Sequence, residues 1–507
     1  MKRAIVLLPL LLFVLSLPAL AVDAPSPTAA AALPVPKETS SVTHHSLTID
    51  GQTIKYTATA GTLLVDNDQG KPIGSFFYVA YTKDGADANR RPLTFLFNGG
   101  PGSSSIWLHM GSFGPVRVVT SDAKPTPPPP YDLVQNQYSL LDKSDLVFID
   151  AIGTGFSRIV GTGTPKDFYG TDPDIASFGK FIRRYVTLNN RWNSPKFLLG
   201  ESYGTTRAAG LSDWLQENGV ALNGVVLQSS WLNGFVDFPG PPFALDLPYE
   251  LYLPTMAATA WYHDKLPNKP ADLPAFLQQV RNFALGDYAQ ALAQGVNLSA
   301  ADTQTIAEKL HAYTGLPVQY ILNVKLRIDP FRFEKELLRG EDRTVGRLDS
   351  RFEGIDADAA GENPSYDPSG SAIGPAFTAA FHWYLENDLK YHTELSYKVE
   401  NYREVGRDWD NGQRINGQTY PLMDVEENLR AAMTENPHLK VFSANGYFDF
   451  ATPFFETEYD LDHMGLGPSL MKNISYGYYQ SGHMIYLNVP ALAQYKADLI
   501  RFYGTAE

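Results

Sequence analysis

The sequence of 507 residues contains no cysteine, so no disulfide bond can hold the fold together. It also lacks the H-E-x-x-H motif of zinc enzymes, and the adjacent histidines His44 and His45 are more typical of a strand edge or a loop than of a metal site. A chain of this length can bury a core large enough to fold without cross-links. We therefore expect a fold stabilised by hydrophobic burial, with no metal and no cofactor.

Basic residues are also in deficit, with 41 Lys and Arg against 55 Asp and Glu and a net charge of −14. This balance excludes a nucleic-acid-binding protein, because phosphate contacts need clusters of positive charge. The acidic charge favours solubility and does not identify a substrate.

Long apolar runs are absent apart from Ala4–Leu17, which follows Lys2 and Arg3 and precedes Ala19-Leu20-Ala21. This pattern is typical of a secretory signal with an A-x-A cleavage site, and it is too short for a membrane anchor. We therefore predict a signal peptide at residues 1–21 and no membrane span. Export without cysteine favours a bacterial periplasmic or secreted protein.

The most informative motif is Gly200-Glu201-Ser202-Tyr203-Gly204, between the apolar run Pro195–Leu199 and the helix-forming run Thr205–Leu211. G-x-S-x-G between a strand and a helix predicts a sharp turn that exposes the serine hydroxyl. The flanking glycines allow the strand and the helix to approach closely. The helix N-terminus would face negative charge that develops on an acyl oxygen. Ser202 is therefore a candidate nucleophile for acyl transfer.

A serine nucleophile needs an imidazole base and a carboxylate that orients it. Asp449 ends the turn that follows the strand Leu439–Ala444, and His483 lies in a glycine-marked loop before a helix that begins near Pro490. The order Ser202, Asp449, His483 is that of α/β-hydrolases. Alternatively, Asp449 caps the following helix, and His483 is an ordinary surface or core residue.

Other acidic residues and a histidine occur in the apolar-periodic segment 454–464, which predicts a helix. Asp460, Asp462 and His463 fit the solvated face of that helix. They are therefore not candidates for the catalytic groups.

A second element supports the catalytic interpretation. The apolar strand Pro92–Phe97 runs into the glycine-rich loop Asn98–Ser105. Such a loop exposes backbone N–H groups, which suits an oxyanion hole completed by the N–H of Tyr203. The alternative is a Gly/Pro turn without function.

Together these residues resemble the serine carboxypeptidase family (peptidase family S10). The resemblance rests on Asn98–Ser104, on Gly200–Gly204, on Asp449 and on Gly482-His483-Met484, and the block Leu146–Ser157 matches a further motif of that family. The resemblance implies an α/β-hydrolase fold. It also implies that Ser202 is the nucleophile, His483 the general base and Asp449 its orienting partner.

The same resemblance assigns the remaining site residues. The N–H groups of Gly100 and Tyr203 would stabilise the oxyanion, and Asn98, Gly99 and Glu201 would bind the terminal carboxylate of a peptide substrate. A glutamate can hold a second carboxylate only if the pair shares a proton. The resemblance therefore implies an exopeptidase that favours acidic pH.

Several positions depart from the family pattern. Ser103 and Thr452 stand where the family has cysteines, Ser112 stands where it often has a glutamate that supports the carboxylate-binding one, and Ile485-Tyr486 replaces Val-Pro. These departures leave the pH optimum and the substrate specificity open.

The segments between the motifs predict a mostly parallel, doubly wound sheet, as the α/β-hydrolase fold implied by the resemblance requires. Antiparallel hairpins are expected over 45–83, with turns at 50–51 and 66–70, at one edge of that sheet. The parallel strands are predicted at Leu93–Phe97, Leu146–Asp150, Lys196–Gly200, Val225–Gln228 and Lys440–Ala444.

Composition divides the chain further. Residues 22–37 form an Ala/Pro-rich leader, and 38–235 with 400–507 form the catalytic domain. Residues 236–399 are predicted to be a mainly helical insertion, and the resemblance implies that this insertion caps the active site. The alternative is a helical scaffold layer without substrate contact. Aromatic residues of this insertion, such as Trp383 and Tyr384, are more typical of a core than of a pocket.

Three functions remain at this point. The first is a serine carboxypeptidase acting on peptides with a free C-terminus. The second is an esterase or acyltransferase on the same triad, which would have no use for Asn98 and Glu201. The third is a non-catalytic binding protein with a hydrolase fold, which the intact set of Ser202, Asp449 and His483 disfavours. The oligomeric state stays open.

Overall fold

Sixteen strands and fifteen α-helices build the part of the chain that the structure, a computed structural model, describes: residues 32–236 and 245–506. The predicted signal peptide and residues 22–31 of the predicted leader lie outside these residues. The strands are β1 Ser40–Ile49, β2 Gln52–Asp66, β3 Pro72–Lys83, β4 Leu93–Phe97, β5 Val116–Val118, β6 Leu133–Gln135, β7 Asp145–Ile149, β8 Arg158–Ile159, β9 Lys196–Ser202, β10 Gly224–Ser230, β11 Arg343–Val345, β12 Glu353–Ile355, β13 Gln413–Ile415, β14 Gln418–Tyr420, β15 Lys440–Gly446 and β16 Ile474–Tyr479.

The helices range in length from three residues to twenty. They are α1 Ile106–Leu108, α2 Thr171–Leu188, α3 Tyr203–Glu217, α4 Leu247–Tyr262, α5 Leu273–Phe283, α6 Ala289–Gln294, α7 Ala300–Thr314, α8 Val318–Asn323, α9 Pro330–Glu336, α10 Pro368–Asn387, α11 Tyr402–Val405, α12 Glu426–Glu435, α13 Phe454–His463, α14 Pro468–Met471 and α15 Val489–Ala506. Among the described helices, none is both long and apolar enough to cross a membrane.

Ten strands form one sheet in the order β1-β2-β3-β7-β4-β9-β10-β15-β16, with β8 added beside β3. The strands from β7 to β16 pair in parallel, and β1, β2 and β3 pair antiparallel at one edge. The predicted fold class, with N-terminal antiparallel strands on a mostly parallel sheet, is therefore confirmed. The expected position of His44 and His45 on a strand edge is also confirmed, since β1 is the outermost strand.

Both faces of the sheet are covered by helices, so the central strands are buried on both sides. Successive side chains of a strand therefore enter two different hydrophobic clusters, one on each face of the sheet. Leu96 and Phe148 belong to one cluster, and Phe95 and Val147 belong to the other. This two-sided burial is why every residue of β4, β7 and β10 is buried, rather than every second one.

The helices α4 to α9 contribute to a third hydrophobic cluster, which includes Tyr447, Phe448 and Phe450 from the segment after β15. Predicted helices such as 300–314 are found at those residues. The assignment of 236–399 as a separate cap, like the other domain boundaries, stays a prediction.

The predicted solvated face of α13 is wrong in one residue. Asp462 and His463 are exposed, but Asp460 is only 1% exposed. The reason is that α13 packs against α4 and that Asp460 hydrogen-bonds the Glu426 carboxyl, whose pKa burial raises to about 7. Two carboxyl groups that share one proton satisfy each other's hydrogen bonding, so Asp460 does not need to be exposed to water.

Candidate active site

The sheet reverses its direction of winding at β4, because the chain passes from β4 to β7 on one side and then to β9 on the other. In open α/β sheets such a switch point leaves a crevice at the carboxyl ends of the strands. The loop that begins at Asn98 follows β4, and Ser202 ends β9 beside it. Asp449 and His483 follow β15 and β16 at the same edge.

Ser202 adopts a left-handed backbone conformation, with φ of 62° and ψ of −135°. A non-glycine residue in this region is strained, and such strain is typical of functional turns. A Cβ at Gly200 would clash with the carbonyl of Gly204, and a Cβ at Gly204 would meet the carbonyl of Phe97. The two glycines therefore permit the tight crossing of β9, α3 and β4 that the motif predicts.

The imidazole of His483 bonds the carboxylate of Asp449, with 2.8 Å between Nδ1 and Oδ2. The other oxygen of Asp449 accepts hydrogen bonds from the backbone N–H groups of Ala451 at 2.8 Å and of Thr452 at 3.0 Å. The Thr452 hydroxyl donates to Oδ2 at 2.8 Å. Asp449 therefore organises its own turn and His483; α13 begins only at Phe454, so Asp449 does not cap that helix.

The backbone of His483 is fixed by three hydrogen bonds. Its N–H donates to the carbonyl of Leu348 at 2.7 Å, and its carbonyl accepts from the Ser229 hydroxyl at 2.8 Å and the Gln228 amide at 3.2 Å. Burial acts to lower the pKa of the imidazole, but the Asp449 carboxylate and its hydrogen bond outweigh burial, and the net pKa is raised. The charged form of His483 is thus stabilised where a general base needs it.

The loop after β4 lies directly against the serine turn. A Cβ at Gly99 would collide with the backbone nitrogens of Tyr203 and Gly204, so only glycine fits there. Gly100 has φ of 111°, which also favours glycine. The side chain of Ser105 bonds the N–H of Asn98 at 3.1 Å and thereby closes the loop. The backbones of Gly99 and Gly100 are therefore held beside Ser202, at the N-terminus of α3.

Glu201 is buried, with 1% of its surface exposed, and its carboxyl receives three hydrogen bonds. Asn98 Nδ2 donates to Oε1 at 2.9 Å, Gln228 Nε2 to Oε2 at 2.8 Å and the Tyr486 hydroxyl to Oε1 at 3.2 Å. Burial is the largest cause that raises the pKa of Glu201, to about 7. This carboxyl therefore gains or loses its proton near neutral pH.

The sequence analysis missed Gln228 and Tyr486 as members of this group. Gln228 lies in a strand that reads only as buried, and no local signal distinguishes it. One signal could have indicated Tyr486, because Ile485-Tyr486 replaces the Val-Pro of the family pattern. Ser112, at another departure, donates its hydroxyl to the Leu108 carbonyl of its own helical segment at 2.5 Å.

The predicted site residues come together around one pocket of about 500 Å³. Asn98, Gly99, Gly100, Glu201, Ser202 and His483 line it, with Asp449 behind His483 and Tyr203 at the first position of α3. The segment 236–399 contributes further lining residues, namely Arg347, Leu348, Asp367 and Gly370. This segment therefore reaches the pocket. Within the described residues, 32–236 and 245–506, no group of His, Asp and Glu side chains is placed to hold a metal ion.

Comparison with protein families finds a match to the family model described as serine carboxypeptidase over residues 50–239. This range contains the loop after β4, the serine turn and the carboxyl end of β10. Asp449 and His483 lie outside it.

Individual relatives match over shorter stretches. The pheromone-processing carboxypeptidase KEX1 of Cryptococcus gattii is 26% identical over 34% of this chain and 25% of its own length. KEX1 of Saccharomyces cerevisiae is 40% identical over 25% of this chain and 17% of its own length. The chain thus spans a quarter or less of the length of these relatives.

Among solved structures, proline iminopeptidase of Mycobacterium smegmatis aligns with 88% of this chain and 98% of its own, at 13% identity and a TM-score of 0.36.

Proposed function

From the match of residues 50–239 to the serine carboxypeptidase family model and the geometry of the pocket, we propose that the chain is a serine carboxypeptidase that releases C-terminal residues from peptides through an acyl-enzyme on Ser202. The signal predicted at residues 1–21 would make it an exported enzyme. The peptide with a free C-terminus is the proposed substrate class.

In this proposal the Ser202 hydroxyl attacks the last peptide carbonyl while His483 Nε2 accepts its proton. The Asp449 carboxylate, bonded to Nδ1 at 2.8 Å, holds the imidazole in the tautomer that leaves Nε2 free. His483 then donates the proton to the leaving amino acid and activates the water that releases the acyl group. The raised pKa of His483 suits a base that becomes an imidazolium in the transition state.

The tetrahedral oxyanion would lie against the N–H groups of Gly100 and Tyr203. Tyr203 is the first residue of α3, so its N–H has no partner within the helix and the helix dipole adds positive potential there. The close approach of Gly99 to the backbone of Tyr203 brings the two donors to one side of Ser202. Donors fixed in advance are worth about 2.7–4 kcal/mol each in comparable oxyanion holes.

The observation that carries the exopeptidase assignment is the hydrogen bond between Asn98 and Glu201, beside Ser202 in the same pocket. The pKa of Glu201, about 7, keeps the carboxyl protonated below neutral pH. A protonated Glu201 can share its proton with a substrate carboxylate, whereas an ionised one repels it. An esterase or acyltransferase substrate without a carboxylate would have no use for this buried pair.

The decisive experiment is mass spectrometry of a short peptide, with a free or an amidated C-terminus, incubated with the protein at pH 5 and pH 8. We expect stepwise loss of residues from the free form, faster at pH 5, and no comparable loss from the amide. Ser202→Ala should lower turnover by at least about 10⁴-fold and still bind the free peptide, since binding does not need the hydroxyl.

Other outcomes would redirect the assignment. Equal cleavage of both peptides would discard carboxylate recognition and favour a different acyl-transfer reaction. Cleavage of neither, with no labelling of Ser202 by a fluorophosphonate in the folded protein, would favour a binding protein. Labelling without peptide cleavage would favour an esterase or acyltransferase.

A further inference from the structure

A second cleft, larger than the catalytic pocket, opens elsewhere on the molecule. Its volume is about 650 Å³, and it shares no lining residue with the pocket around Ser202. The hairpin edge of the sheet, the segment 129–135 and the carboxyl-terminal part of α10 form its walls. A cleft of this size is in the range that encloses small organic ligands.

Aromatic side chains form much of its surface. Tyr56 and Tyr384 are almost fully buried, with 3% and 1% of their surfaces exposed, whereas the Trp383 indole is 53% exposed. Tyr131 lies in the wall as well. The sequence predicts a core position for Trp383, and its exposure shows instead that this indole is available to a ligand. A tryptophan face is the best aromatic partner for a cation.

Two carboxylates line the cleft, those of Asp132 and Asp388. Asp388, the residue directly after α10, lies in this aromatic setting, and within residues 32–236 and 245–506 its carboxylate forms no ion pair or hydrogen bond. Asp388, Tyr56 and Tyr384 line the same cleft, and burial with, to a smaller extent, the negative charge of Asp388 raises the pKa of both phenols. The phenols therefore stay protonated as hydrogen-bond donors.

The neighbouring imidazole does not supply the missing cation. Burial lowers the pKa of His45, and the Asp388 charge only partly opposes this. His45 stacks on Tyr56, with ring centroids 5.4 Å apart, and its Nε2 bonds the Thr43 hydroxyl at 2.7 Å. At neutral pH the cleft therefore presents a net negative charge framed by aromatic faces.

We propose that this cleft binds a small organic ammonium compound, with the ammonium group on Asp388 and an aromatic or flat apolar substituent against Trp383. An ammonium ion gains both the Coulomb attraction of the carboxylate and cation–π attraction from the rings. A neutral ligand would lose these two contributions, and an anion would be repelled.

The cleft is distinct from the substrate site of the proposed function. Asp367, just before helix α10, and Gly370, in its first turn, line the catalytic pocket, whereas Asp388, just after the helix, lines the cleft. Gly370 and Trp383 are separated by thirteen residues, which corresponds to roughly 20 Å along the helix axis. Binding in the cleft therefore needs neither a reactive Ser202 nor the release of an amino acid.

Calorimetric titration of the whole protein with three probes of similar shape tests the proposal: phenethylammonium, 2-phenylethanol and 3-phenylpropionate. We expect phenethylammonium to bind most tightly, by about tenfold or more over the neutral and anionic probes. Asp388→Asn should weaken phenethylammonium by about tenfold and leave peptide cleavage unchanged. Glu386→Gln is the matched control, since it removes a charge from the exposed face of the same helix, where Glu386 pairs with His392 at 2.7 Å.

Equal affinity for the three probes, no binding at all, or an equal loss in Glu386→Gln and Asp388→Asn would overturn the proposal. If Asp388→Asn does not fold, Trp383→Leu at a half-exposed position provides the second variant and should weaken phenethylammonium as well. Repeating the titration on protein treated with a fluorophosphonate excludes binding in the catalytic pocket. Because the readout is binding, the result does not depend on whether the protein is a carboxypeptidase.

Discussion

The hydroxyl of Tyr486 donates a hydrogen bond to Oε1 of Glu201 over 3.2 Å. Its ring lies so close to Gly111 that any side chain there would collide with it. The next residue, Ser112, stands where the serine carboxypeptidase pattern often has a supporting glutamate, and its hydroxyl is engaged with Leu108. In this chain a phenol, which does not ionise near neutral pH, therefore supports Glu201, the residue proposed to bind the substrate carboxylate.

Tyr486→Phe should extend the cleavage of free-carboxylate peptides to higher pH. The phenol donates to the ionised form of Glu201 and thus lowers its pKa, so its removal raises that pKa above its present value of about 7. Loss of a hydrogen bond to a charged group, about 1.5 kcal/mol, corresponds to about one pH unit. The pH dependence of kcat/KM measures the shift.

Tyr476→Phe serves as the control for the Tyr486 variant, because its hydroxyl is buried away from Glu201 and no described residue hydrogen-bonds it. An alkaline limb that stays in place, or that moves to lower pH, would contradict the assigned hydrogen bond.

Glu201→Gln should abolish the decline of kcat/KM above about pH 7 for peptides with a free C-terminus. We expect that decline in the native protein because Glu201 ionises near pH 7 and its negative charge would then repel the substrate carboxylate. The amide carries no charge at any pH, so KM becomes insensitive to pH in this range. At acidic pH we expect KM to rise about fivefold, since a hydrogen bond of about 1 kcal/mol is weakened. An unchanged pH profile would rule out the carboxylate-binding role.

Thr452→Val should lower kcat by about tenfold with little effect on KM. The Thr452 hydroxyl donates to Asp449 Oδ2 at 2.8 Å and lies 3.2 Å from His483 Nδ1. Without it the carboxylate loses one of the contacts that fix its orientation, and the imidazole is held less firmly. Thr452→Ser keeps the hydroxyl and should retain most of the activity. Equal losses in the two variants would indicate a packing effect instead.

Asp145→Asn should destabilise the fold by about 3–5 kcal/mol. Asp145 is 2% exposed and pairs with Arg91 at 3.0 Å and with Arg191 at 2.6 Å, so its neutralisation leaves two buried guanidinium groups without a counter-charge. Thermal unfolding monitored by circular dichroism measures the loss. Asp68→Asn removes an exposed carboxylate paired with Lys180 at 3.2 Å and should leave Tm nearly unchanged. A change in Tm as small as that of Asp68→Asn would show that the two ion pairs of Asp145 contribute little to stability.

Much of the fold follows from local patterns. The turns at 50–51 and 66–70, between alternating strands, predict the hairpin edge that β1, β2 and β3 form. The helix predicted at Ala300–Thr314 is found with those bounds, because Ser299 caps its first turn and Gly315 ends it. The last sheet strand, β16, was not predicted, since its tyrosines and glycine resemble a loop as much as a strand.

The sequence by itself determined which residues are proposed for the site, because the serine turn and the glycine-rich loop after β4 leave signatures within a few neighbouring residues. Only the tertiary structure decided how Glu201 is held, since Asn98, Gln228 and Tyr486 reach it from distant parts of the chain. The same holds for Asp460, buried by its carboxyl partner, and for Trp383, exposed in a cleft. Such contacts depend on strand order and helix packing, and no local propensity encodes them.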